Sequence, residues 1–167
     1  IDNMLGAFAV EKLAESIQGQ QKGYAEQAAQ AEDAGSTFQL GELDPTMSGI
    51  AKQIPVGIVA TLFRPFLWEV RKPIIAATAL ESLFFFFFTL YTIFKTGVFR
   101  FFKFIFKDSD IFLCIIFSLL FSGLVGISTP NFGTLARYRI PVIPFYLFGI
   151  LLILRKGMEE KILKSTR

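Results

Sequence analysis

Apolar residues in this chain are gathered into blocks, separated by short joints that carry charge or proline. Three blocks are long: Pro73 to Phe94 with a single charge at Glu81, Ile111 to Ser128 with none, and Ile140 to Leu154 with none. At 1.5 Å per helical residue the first two are long enough to traverse a hydrocarbon layer, whereas the fifteen residues of the third reach only about 22 Å of a roughly 30 Å core. Its ends must be extended by Tyr138 and by snorkelling Arg155 and Lys156. The pattern predicts an all-α protein, a polytopic transmembrane helical bundle of three spans. Ser118, Ser122 and Gly126 recur every four positions in the second span and make a small-residue stripe for close helix packing.

Two weaker segments come first. Residues 4–34 are rich in Ala, Gln and Glu, with Met4, Phe8, Val10, Leu13 and Ile17 mostly three or four apart, which predicts a weakly amphipathic and mostly exposed helix. Gly19 and Gly23 are its expected interruptions and Ala34-Gly35-Ser36 its stop. Residues 37–48 contain Gly41 and Asp44-Pro45 and read as a loop. The apolar run Ile54 to Phe63, bracketed by Lys52 and Arg64-Pro65, is too short to span. It reads as a re-entrant or interface-lying segment, with Phe66-Leu67-Trp68 at headgroup depth. The organisation expected is thus an extracytoplasmic helical segment and loop (1–49), the interfacial segment (50–72), the spans (73–154) and a basic cytoplasmic tail (155–167).

Composition agrees with a lipid environment. The chain is 53% hydrophobic and 19% charged, and 21 of its 167 residues are Phe, a large side chain with no polar handle. With no His and one Cys, disulfide frameworks, Cys/His zinc sites and His-based triads are excluded, and neither a metal nor a cofactor is expected. Cys114, inside an apolar span, should be inert.

Charge is divided unevenly: residues 1–50 carry a net −6 and the remainder a net +9. Because the Lys and Arg cluster beside apolar runs, they read as membrane-flanking charge, and nucleic acid is not expected as a partner. Nine cations flank one side of the spans (95–107 and 155–167) and six the other, which places the 95–110 loop and the tail in the cytoplasm and residues 1–72 and 129–139 outside. The segment Thr96 to Lys107, mixing Phe with Arg100, Lys103 and Lys107, has the character of an interfacial helix on an anionic leaflet. Since the chain opens on Ile1, we read it as a segment of a longer or processed protein whose earlier part carries further spans.

Candidate chemistry concentrates in the stretch Ser128 to Pro144. Arg137 and Arg139 precede a helix start marked by Pro141 and Pro144, where free amides and planar guanidinium forks suit phosphate oxygens. The alternative is that Arg137, Tyr138 and Arg139 anchor the helix at the interface. Arg64 lies on the same expected side and either pairs with Glu69 or joins Arg137 and Arg139 around a lipid pyrophosphate. Glu81, about 12 Å along its helix from Pro73, is costly in lipid unless it faces protein, water or a cation. Arg64 and Arg137 are its candidate partners; structural pairing, proton relay and general base are its candidate roles.

The stretch Ala136-Arg137-Tyr138-Arg139-Ile140-Pro141-Val142-Ile143-Pro144-Phe145 resembles a late segment of bacterial polytopic glycosyltransferases that use polyprenyl-linked sugars, and of oligosaccharide polymerases. Ala60 to Glu69, followed by Ala79 to Leu83, is similar to the C-terminal half of multi-span proteins of Bacteroidetes-type bacteria, some from surface-polysaccharide loci. The likeness covers roughly residues 35–154. It implies the bacterial inner membrane, envelope glycan assembly, and a polyprenyl-diphosphate-linked saccharide held by Arg64, Glu81, Arg137, Tyr138 and Arg139. The acidic base that those glycosyltransferases carry in an early loop matches no position here. Two other readings stand beside this one: a non-catalytic membrane subunit of a transport, secretion or energy-coupled complex, docked to further helices or subunits, and a proton-coupled transporter in which Glu81 titrates.

Overall fold

A computed structural model describes residues 2–30 and 46–165. Among these the chain forms seven helices and no strand: α1 (Asp2–Gln30), α2 (Met47–Phe63), α3 (Pro73–Thr96), α4 (Val98–Lys107), α5 (Ser109–Ser128), α6 (Phe132–Tyr138) and α7 (Val142–Ser165). A 3-10 turn, Leu67–Glu69, lies between α2 and α3. The stop expected at 34–36 and most of the loop at 37–48 fall outside the described residues.

Local chemistry sets the helix ends. Pro73 opens α3 at a position where an amide proton would have no partner anyway, and Gly97, at φ 84°, closes it with its N–H on the Ile93 carbonyl at 2.8 Å. The same glycine starts α4, and Asp108 then ends α4 and caps α5, its carboxylate accepting from the amides of Asp110 at 3.0 Å and Ile111 at 3.1 Å. Asn131 caps α6 in the same manner through the amides of Gly133 and Thr134. Inside α3, Thr89, Thr92 and Thr96 return their hydroxyl protons to carbonyls four residues back, so that an apolar surrounding finds no free donor.

By length and composition α3 (from Ile75) and α5 are apolar enough to cross a membrane, and α6 with α7 would make a third crossing bent by 65°. The third apolar block thus differs from expectation. Ile140 and Pro141 lie in the break between two helices, and α7 does not end at Leu154 but continues through the basic tail to Ser165. Arg155–Glu159, Arg100–Glu160 and Lys156–Asp108 pairs hold the tail in helical form against its neighbours. Helix α1 runs unbroken through Gly19 and Gly23. Between Glu11 and Tyr24 its side chains are largely exposed or half-buried, but Ala14 and Ile17 are buried against Ile50 and Ile127, and Gln21 donates to the Ile127 carbonyl at 2.6 Å.

The small-residue stripe of α5 is buried as expected, and α2 is what covers it. A Cβ on Gly126 would land on the Gly57 carbonyl, and one on Gly57 would come within 2.6 Å of the Gly123 carbonyl, so the two backbones touch and only glycine fits at the crossing. Beside it, Thr61 donates its hydroxyl proton to the Ser122 carbonyl at 2.8 Å. The main core lies between α2, α3, α4, α5 and α7, around Leu62, Phe85, Ile111, Ile115, Tyr146 and Ile150. Residues 46–72 therefore form a packed hairpin: α2 starts beside Ile127 at the C-terminal end of α5, ends against α3 well beyond its first turn, and the chain returns to Pro73.

Candidate functional site

Two departures from helical geometry and one helical stretch meet at one level of the bundle. The first is the end of α2, where Arg64 caps the helix in extended conformation and a cis peptide links it to Pro65. The second is the break between α6 and α7 at Arg139. The third element, the stretch Thr78 to Ser82 of α3, stays helical but presents polar groups to both. Carbonyls released from helices need donors, and in an apolar surrounding water cannot supply them.

Arg139 is the donor. Its side chain is 2% exposed. One terminal nitrogen donates to the Ser82 hydroxyl at 2.7 Å and approaches the Arg64 carbonyl at 3.4 Å; the other pairs with Glu81 and approaches the Thr78 carbonyl at 3.4 Å. Ser82 passes its own proton to the Arg64 carbonyl at 2.9 Å. The guanidinium thus ties α3, the end of α2 and the α6–α7 break together. Its Nε is buried without an acceptor among the described residues.

Arg64 forms a second closed pair. Its guanidinium meets Glu69 through two nitrogens, Glu69 also accepts the Phe66 amide at 2.8 Å, and the Arg64 carbon lies 5.4 Å from the centre of the Phe132 ring. Partial burial opposes the charged form of Glu69, but the Arg64 hydrogen bond, the Phe66 amide and the Arg64 charge outweigh it, and the carboxyl is held below its usual range.

The sequence-derived candidates are therefore not gathered around one pocket. Arg139 and Glu81 meet, and the Arg64 backbone joins them, but the Arg64 guanidinium turns away to Glu69. Arg137 and Tyr138 are exposed at the end of α6, and no hydrogen bond or ion pair of either side chain is found among the described residues. Residues two apart on a helix point about 200° from each other, so Arg137 and Arg139 cannot converge while α6 persists to Tyr138. The partner of Glu81 is Arg139, where Arg64 or Arg137 had been the candidates. Ser82 and the carbonyls of Thr78 and Arg64 were not singled out from the sequence; a serine beside an in-span glutamate was the available signal.

Glu81 also has an outward aspect. Its side chain is 44% exposed, at the edge of a stripe of α3 that displays Leu80, Phe84, Phe87 and Tyr91. Among the described residues no cluster of His, Cys, Asp or Glu suits a metal ion. A shallow cleft of about 520 Å³ lies at the α4–α5 joint between Lys107 and Asp110, remote from Arg139. In comparisons with known proteins, no protein-family model, curated protein or solved structure matches this chain.

Proposed function

We propose that the chain is a non-catalytic helix-packing module of a membrane assembly of the transport, secretion or energy-coupled kind, with α3, α5 and the broken α6–α7 as its three crossings. The observation that carries this reading is the half-open Arg139–Glu81 pair. The guanidinium is committed to protein on every side but one, which fits a lock between discontinuous helices, while the carboxylate looks out through an apolar stripe that lipid would not satisfy. A further membrane helix laid on that stripe would cover both the phenyl rings and the carboxylate.

Mild-detergent purification of the full chain tests this. A stable protein partner that is retained by the wild type, lost on Glu81→Leu and accompanied by unchanged cell-surface glycan supports it; a partnerless chain carrying polyprenyl-phosphate lipid sinks it.

A second reading, envelope glycan assembly on a polyprenyl-diphosphate-linked saccharide, is favoured by one observation: Arg137 and Tyr138 are exposed beside the helix break. With Arg64 and Arg139 engaged by carboxylates, Arg137 is the guanidinium left to meet a phosphate. Shortened or unlinked glycan on Arg137→Ala, with the chain still folded, supports this reading, and unchanged glycan counts against it.

A further inference from the structure

Helix α4 presents three distinct faces. Phe101, Phe104 and Ile105 are buried against the bundle. Turning about 100° per residue, the next sector holds Val98, Phe99, Phe102 and Phe106; Phe99 is 93% and Phe106 73% exposed. The third sector holds Arg100, Lys103 and Lys107. A soluble surface does not set four bare apolar side chains along one edge of a ten-residue helix.

The cations at this end of the bundle separate into used and unused. Arg100 is turned to Glu160, Arg155 to Glu159 and Lys156 to Asp108. Lys161 donates to the Lys95 carbonyl, and the Lys95 ammonium lies 5.7 Å from the centre of the Tyr91 ring. Lys103 and Lys107 are exposed, one helical turn apart, and no hydrogen bond or ion pair of either side chain is found among the described residues. They border the sector of exposed Phe side chains.

We infer that α4 is a recognition element for anionic phospholipid: Phe99, Phe102 and Phe106 enter the acyl boundary while Lys103 and Lys107 hold the phosphate of an acidic headgroup. The inner face of α4 is fixed to the bundle, so the orientation of its other two faces is already set. Binding then orders little besides the two lysine side chains, which favours a specific lipid contact over diffuse attraction.

The test is a titration of the full chain in detergent with dioleoyl-phosphatidylglycerol or dioleoyl-phosphatidylcholine, bound lipid being counted by native mass spectrometry. Preference for the anionic lipid is expected, with apparent affinity roughly thirtyfold weaker in the Lys103→Gln/Lys107→Gln double variant. The Lys52→Gln/Arg71→Gln double variant, which removes two exposed cations at the other end, should leave it unchanged. Circular dichroism checks that α-helix content is kept. Equal uptake of the two lipids, equal loss in both double variants, or displacement of the lipid by millimolar inorganic phosphate alone would overturn the inference.

Discussion

At one end of the bundle α3, α4 and α5 follow one another through single-residue joints, Gly97 and Asp108, and the ion pairs sit on the outside. At the other end α2 stops at Arg64, α6 breaks from α7 at Arg139, and the Arg139 guanidinium, paired with Glu81, is turned inward onto backbone carbonyls. The difference lies in where the unpaired peptide groups fall. Joints at the surface can leave their carbonyls to water or to headgroups, so their charges need only modest geometry. Joints inside the bundle leave carbonyls that water does not reach, and the protein must bring a multivalent donor to them. Arg139 is that donor, and Ser82 relays to the same acceptor.

This contrast predicts a ranking of sensitivity, readable by denaturant titration of the purified chain in detergent. The largest effect is expected from Gly126→Val, since its side chain would occupy the place of the Gly57 carbonyl and force α2 off α5. A loss of about 3 kcal/mol or more is expected, together with release of the hairpin that carries Arg64. Arg139→Met comes next, at about 2 to 3 kcal/mol, because Glu81, the Ser82 hydroxyl contact and two carbonyls lose a donor at once. Glu81→Gln should cost clearly less, as that carboxylate is half open; equal costs would show that the ion pair, rather than the carbonyl contacts, holds the inner end together.

Much of this inner end was legible as separate signals but not as an arrangement. The apolar blocks at 73–94 and 111–128 became α3 and α5, because long charge-free runs leave a chain few alternatives, and the Ser118, Ser122 and Gly126 stripe packs as its spacing requires. That α2 is the helix covering the stripe could not be read, since Gly57 is a single glycine in a short apolar run and its partner is far away in sequence. The Arg64–Glu69 pair was local and therefore visible. The Arg139–Glu81 pair spans two elements and depends on the α6–α7 break, whose position follows from tertiary packing; without α6, Arg137 and Arg139 look like neighbours on one rim.

Thr61→Val sharpens the comparison at smaller scale. It removes one buried hydroxyl donor to the Ser122 carbonyl, and about 1 kcal/mol of stability should go with it. The least effect near neutral pH belongs to the outer end. Asp108 is held below its ordinary value of 3.8, first by the Lys156 hydrogen bond and then by the Ile111 amide. A depressed carboxylate stabilises the fold fully above its unfolded pKa and loses that contribution as pH falls through the folded one. Melting in detergent should therefore show a difference between wild type and Asp108→Asn at pH 7 that narrows below pH 3.8. A difference that persists unchanged in acid would mean that capping by either side chain, and not charge, fixes the joint.

The contact between Gly57 and Gly126 has a consequence for how such a chain can vary. Where side chains separate two helices, a larger residue on one can be accommodated by a smaller one on the other, and the spacing drifts over generations. Here there is nothing to trade. The position of α2 is set by atoms that every amino acid shares, so the Arg64 carbonyl, about two helical turns beyond Gly57, stays in reach of its donor through whatever happens to the greasy surface around it.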